Sequence, residues 1–175
     1  MKVFGLAGWS NSGKTTLMTA AVAILTRRGF RVSTIKHAHH AFDIDRPGKD
    51  SFRHREAGAS EVLITSGRRW ALMHELRDED EPSLEDMVAR MTPVDLLLVE
   101  GFKRHPHPKI EVHRPSFGKD PLWPQDDTVV AVASDEGLPD LTDRPRLDLN
   151  DPEAVVDFIL DHVDLPRTMG METAQ

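Results

Sequence analysis

Gly8-Trp9-Ser10-Asn11-Ser12-Gly13-Lys14-Thr15 is the stretch that decides the fold. It satisfies every fixed position of G-x-x-x-x-G-K-[ST], the phosphate-binding P-loop pattern, in which successive backbone N–H groups converge on phosphate oxygens. Its flanks agree. Lys-Val-Phe-Gly-Leu-Ala at residues 2–7 reads as a short buried strand, and residues 14–28 carry Leu17, Ala21, Ile24 and Leu25 on one face of a helix. Gly29 stands where a helix C′ residue belongs, and Arg31-Val-Ser-Thr-Ile-Lys36 predicts a second strand. Strand, helix, strand over this length is a βαβ unit, which builds a parallel sheet with a right-handed crossover.

Outward from that unit, Val94-Asp-Leu-Leu-Leu-Val99 is the most apolar run, predicted as a central parallel strand buried on both faces. Lys109–His113 and Thr128–Ala133 read as further strands, separated by a loop at 114–127 with three prolines. Glu61–Thr65 and Arg69–His74, joined by Ser66-Gly67-Arg68, predict a β-hairpin that interrupts the alternation. Ser83 with Asp86 forms a capping-box pattern for a helix to about Arg90. Asp151-Pro152 opens a last helix, Asp as N-cap and Pro at N1, with Val155, Val156, Ile159 and Leu160 as its apolar face. The expected fold is α/β, of the P-loop NTPase class: a mostly parallel central sheet flanked by helices, with an inserted β-hairpin at about 60–76. Residues 1–165 are expected as one domain and 166–175 as a loose tail.

Composition narrows the setting. The chain has 175 residues, 39% of them apolar, and a net charge of −7, which argues against a nucleic-acid partner. It has no cysteine, so disulfides, thiolate metal sites and cysteine nucleophiles are excluded. The N-terminus has no signal-peptide pattern, and no apolar run approaches the roughly 20 residues of a membrane span. A cytoplasmic protein without a membrane association is expected.

Gly8 and Gly13 are expected to allow backbone angles and a close approach that a Cβ would block. Phosphate contacts fall to Gly8, Ser10, Asn11, Ser12, Gly13, Lys14, Thr15 and Thr16, with Lys14 reaching the outer phosphates, the Thr15 hydroxyl binding Mg²⁺, and the helix N-terminus favouring the anion. Glu100, directly after the apolar strand, occupies the Walker-B position near the metal, whereas Asp95 starts that strand and belongs at the opposite edge. Lys14 and Glu100 are the candidate catalytic residues. Residues 36–50 carry three His and three Asp after the second strand. There Asp43 and Asp45 are candidates for the metal's water, Asp45 joining Thr15 and Glu100 as a metal-site residue, although a solvated polar loop reads equally well. His37, His39 and His40 lack the i, i+4 spacing of a helical zinc site. Asp135, closing the strand at Ala131-Val-Ala-Ser, could accept from guanine N1–H and N2–H₂, or serve as a turn aspartate. Lys103, Arg104 and Lys109 around His105-Pro-His-Pro108 read as a basic loop beside Glu100. No glutamine or arginine finger is identifiable.

These stretches carry a resemblance. Gly-Trp-Ser-Asn-Ser-Gly-Lys-Thr-Thr from residue 8, Lys-His-Ala-His-His-Ala-Phe-Asp-Ile-Asp-Arg-Pro-Gly-Lys-Asp-Ser-Phe-Arg-His-Arg-Glu-Ala-Gly-Ala from residue 36, Leu-Leu-Val-Glu-Gly-Phe-Lys from residue 97 and Ala-Ser-Asp ending at 135 resemble the molybdopterin-guanine dinucleotide biosynthesis protein B (MobB) family. Ala38, within the histidine run, is the one departure, at a place where a polar residue is expected. The resemblance implies a GTP-binding protein with feeble GTPase activity that uses GTP and Mg²⁺. It implies a homodimer joined through the hairpin. It also implies an accessory role for the guanylyltransferase that attaches GMP to molybdopterin in molybdenum cofactor biosynthesis. Without it, the P-loop admits a small-molecule kinase, for which only residues 46–55 could supply an arginine lid, or a metal-insertion GTPase suggested by the histidines.

Overall fold

The structure, a computed structural model, describes residues 1–38 and 42–169. His39 and His40 of the histidine run, and 170–175 of the expected tail, lie outside the described residues. In chain order the elements are β1 (Lys2–Ala7), α1 (Lys14–Arg27), β2 (Val32–Lys36), α2 (Asp50–Glu56), β3 (Glu61–Thr65), β4 (Trp70–His74), α3 (Leu84–Arg90), β5 (Leu96–Glu100), β6 (Lys109–Val112), β7 (Val129–Ser134), β8 (Arg146–Asp148) and α4 (Pro152–His162). They form two compact units, Met1–His37 with Arg90–Gln175, and Ala38–Ala89.

The first unit holds a six-stranded sheet in the order β2-β5-β1-β6-β7-β8, every neighbouring pair parallel. The expected α/β fold with a parallel central sheet is therefore present. Its cause is the βα alternation: each return to the sheet passes through a helix or loop long enough to reverse direction. The strand order changes sides at β1, which puts the carboxyl ends of β1, β5 and β6 around one crevice.

Strand alternation divides the core. Phe4, Leu6, Leu96, Leu98, Ile110, Val112, Ala131 and Ala133 face α1 and α4, meeting Leu17, Ala21, Ile24 and Leu25 of the first helix and Val155, Val156, Ile159 and Leu160 of the last. Asp151 caps α4 as its sequence predicts, accepting from Ala154 N at 3.0 Å. The opposite face carries Lys109 and Glu111 of β6, both fully buried. This corrects the reading of Lys109 as part of a basic loop beside Glu100, while its place at the start of a strand holds. Its ammonium is turned inward because three acceptors meet it there: His105 O at 2.9 Å, Asp126 Oδ2 at 3.3 Å and the Thr128 hydroxyl. A smaller cluster of Trp123, Val129 and Val132 packs beside them.

In the second unit β3 and β4 pair antiparallel, Glu61 opposite His74 and Thr65 opposite Trp70, closed by Ser66 N donating to Arg69 O at 2.9 Å. The capping box of α3 is reciprocal: Asp86 N donates to Ser83 Oγ at 3.1 Å and Ser83 N to Asp86 Oδ2 at 3.0 Å. Among the described residues, no helix is long and apolar enough to cross a membrane.

Candidate nucleotide-binding site

β1 delivers the chain to Gly8 with φ 137°, and an added Cβ would lie 2.4 Å from Val112 O of β6. Only glycine lets the loop leave the sheet at this point. Gly13, at φ 105°, is the N-cap of α1 and supplies no side-chain cap. The first-turn N–H groups of that helix therefore have no side-chain acceptor from the cap, the arrangement in which an anion is taken up. Ser12 Oγ is buried with no hydrogen-bond partner among the described residues, whereas Ser10, Asn11 and Thr16 are exposed at the rim.

Lys14 Nζ donates to Trp9 O at 2.6 Å, folded onto the loop's own backbone. Burial holds the Lys14 ammonium below its ordinary pKa, partly offset by attraction to Glu100. Thr15 Oγ1 donates to Glu100 Oε1 at 3.0 Å, and Lys36 Nζ lies 3.5 Å from the same oxygen. Parallel pairing explains the convergence, because Glu100 is in register with Leu6 on one side and Lys36 on the other. Asp95, at the other end of β5, accepts from Arg31 N at 2.7 Å and Arg31 Nη2 at 3.0 Å, as its place in the strand predicts. Trp9 donates its Nε1–H to Asp120 O at 2.7 Å and carries the Lys103 ammonium 4.2 Å above its ring.

Asp135 stands just beyond β7. Its Oδ2 accepts from Arg114 Nη1, while Oδ1 is buried with no partner among the described residues. The same Arg114 donates Nε–H to Ser12 O of the P-loop at 3.0 Å. Sequence reasoning did not single out Arg114, although it follows β6 by two residues, the carboxyl-end position that marked Glu100 and Asp135.

Asp45 belongs to the second unit, where its Oδ1 accepts from Ser51 Oγ and from Arg46 N, each at 2.9 Å. Arg55, the clearest cation for a lid in residues 46–55, is engaged by Glu75 at 2.8 Å and Asp43 at 3.0 Å. Among the described residues, no group of three or more His, Asp or Glu is placed to hold a metal ion. The residues at the loop nevertheless fit a magnesium-phosphate ligand. A hydroxyl and a carboxylate oxygen, both hard donors, sit 3.0 Å apart beside uncapped amides and an ammonium.

The family model described as "Molybdopterin guanine dinucleotide synthesis protein B" matches residues 3–135. A molybdopterin-guanine dinucleotide biosynthesis adapter protein of Escherichia coli K12 is 43% identical over 162 residues, covering 91% of each chain. The adapter protein of Haemophilus influenzae is 44% identical over 160 residues, covering 90% of this chain and 86% of its own. The crystal structure of a MobB homologue from Bacillus stearothermophilus superposes with a TM-score of 0.71 at 27% identity, over 94% of this chain and 99% of the other. With its fold and its P-loop in agreement with these matches, the chain belongs to the molybdopterin guanine dinucleotide synthesis protein B family.

Proposed function

We propose that the protein binds GTP with Mg²⁺ at the P-loop and serves as an accessory to the guanylyltransferase that converts molybdopterin to its guanine dinucleotide. The observation that carries the nucleotide reading is the 3.0 Å contact of Thr15 with Glu100 at the mouth of an uncapped glycine loop. The pathway reading rests on relatives that are named as adapter proteins of molybdopterin-guanine dinucleotide biosynthesis. In this reading Gly8, Ser10, Asn11, Ser12, Gly13 and Thr16 line the phosphates, Lys14 would hold the outer ones, and Thr15 and Glu100 would hold the metal or its water. Mg²⁺ would supply charge neutralisation at the phosphates. Asp135 would read the guanine edge. Ala38–Ala89 is read as an insertion into one nucleotide-binding domain of residues 1–165, and the hairpin within it as the surface that joins two copies. A cytoplasmic location fits a cysteine-free chain.

Hydrolysis by the isolated protein should be slow. Lys14 is the one positive group in the P-loop motif itself, and Arg55 is already committed to Asp43 and Glu75. Calorimetric titration with GTP and Mg²⁺ tests the site: Lys14→Ala should weaken binding by about 2–3 kcal/mol, the scale of losing a charged hydrogen bond. Equal GTP affinity in the variant would overturn the assignment, and turnover near 10 s⁻¹, an ordinary enzyme rate, would overturn the accessory role.

A further inference from the structure

We infer that Arg114 is a specificity-determining positioning residue that ties the base-reading carboxylate to the phosphate loop. The inference rests on the proposed reading of Asp135 and extends it to a residue outside the nucleotide motifs. Arg114 follows β6 and reaches both ways: Nη1 donates to Asp135 Oδ2, and Nε donates to Ser12 O at 3.0 Å. One planar guanidinium thus bridges the end of β7 and the P-loop backbone, with Nη2 3.6 Å from where a Cβ on Gly13 would stand. Only arginine has donors spread along a rigid fork for this; a lysine ammonium is a single point.

The geometry leaves Asp135 prepared for a donor. Oδ2 is occupied and Oδ1 is buried without a partner among the described residues, a costly state that an incoming N–H relieves. Guanine offers two adjacent donors, N1–H and N2–H₂. Adenine offers an acceptor at N1, which would face the carboxylate oxygen and be repelled. Held by Arg114, the carboxylate cannot rotate away from that clash, so the base is discriminated by a fixed group. Because the same guanidinium grips Ser12 O, a base that seats correctly at Asp135 also steadies the loop beside Gly13 and Lys14. Base identity and phosphate geometry are joined through one side chain.

The test compares GTP, ATP, XTP and inorganic tripolyphosphate, each with Mg²⁺, titrated into the full chain and into Arg114→Met, Arg114→Lys, Asp135→Asn and the Arg114→Met/Asp135→Asn double variant. The wild type should prefer GTP over ATP, and Asp135→Asn should shift preference toward XTP, whose O2 accepts from an amide. Arg114→Met should weaken GTP about tenfold or more, the effect of losing a charged hydrogen bond, and weaken ATP and tripolyphosphate less, so that the GTP-to-ATP ratio falls. Arg114→Lys, the milder change in case the methionine variant folds poorly, should lose part of the preference. In the Asp135→Asn background Arg114→Met should cost little more, since the two act as a unit. If Arg114 serves only the fold, GTP, ATP and tripolyphosphate weaken by the same factor; that result, or an unchanged GTP-to-ATP ratio in both Arg114 variants, overturns the inference. A wild type that holds tripolyphosphate but does not prefer GTP would instead overturn the guanine reading of Asp135 itself.

Discussion

Glu111 is a carboxylate without solvent exposure, made tolerable by backbone amides. It accepts from Leu122 N at 2.9 Å and from Trp123 N at 3.0 Å, and so fastens the proline-bearing loop over the sheet. Burial pushes its pKa above the ordinary carboxylate range, against the pull of those two amides. Oε2 takes both amides and Oε1 meets Leu122 N at 3.0 Å, so Glu111→Gln keeps the shared acceptor but turns an NH₂ toward Leu122 N–H, leaving one buried donor unmatched. The expected loss is about 1–3 kcal/mol of stability, together with faster amide exchange at Leu122 and Trp123. Exchange at those amides that stays at the wild-type rate would mean that the loop is held by other contacts. The inward turn of Lys109 and Glu111 was not legible beforehand. In Lys-Ile-Glu-Val-His the apolar positions claim one face for the core and leave the other to water by default. Only tertiary contact with residues 105 and 122–128 reverses that default.

At the scale of elements, the strands with apolar runs and the helices with caps were readable, because local signals there agree with the fold. β8 was not. It is three residues long and mostly exposed, and its place depends on pairing with β7. The convergence of Thr15 and Glu100 followed from the rule that parallel strands present their carboxyl ends together, whereas the reach of Arg114 to Ser12 and Asp135 is a side-chain event that no spacing reveals. The hairpin was readable from its turn, and its structure sharpens the proposed two-copy assembly. Leu63 and Leu72 are directly opposed, on the same face as Trp70, and are 59%, 47% and 68% exposed. Two strands alone are marginal in water, so such a face gains by burial against a second copy. Trp70→Glu with Leu72→Lys should weaken self-association by about 2 kcal/mol or more, the loss expected of a buried aromatic anchor, and leave GTP affinity intact. Sedimentation velocity across a dilution series would read this; a variant that sediments as the wild type does would show that the hairpin face is not the contact.

Across the whole molecule, stability should depend on pH through histidines held neutral by burial. His107, only 6% exposed, packs over Gly5 of β1 beside Lys109. Its pKa is lowered from 6.5 to about 4, first by burial and then by the Lys109 and His105 charges, with a hydrogen bond to the His105 backbone and the Asp126 charge pulling the other way. Burial lowers His113 as well. A histidine depressed in the folded state leaves stability complete above the unfolded value near 6.5 and removes it as pH falls toward the folded value. Between those limits the unfolded chain takes up a proton that the native chain refuses. His74 has the opposite sign, raised by hydrogen bonds to Glu61 and Glu79 and so stabilising below its ordinary pKa. It is only half-buried and screened by solvent, and does not offset His107. The carboxylates with lowered pKa, Asp95, Asp126 and Asp157 among them, titrate below this window. Urea unfolding at pH 7 and pH 5 should therefore differ by about 2 kcal/mol for His107, with His113 adding to it, the protein being weaker at pH 5. His107→Gln should begin less stable at pH 7, having lost a fitted ring, yet show a shallower slope. A wild-type stability that is flat from pH 7 to pH 5 would mean that His107 accepts its proton in place, with water reaching the space between β1 and the loop that covers it.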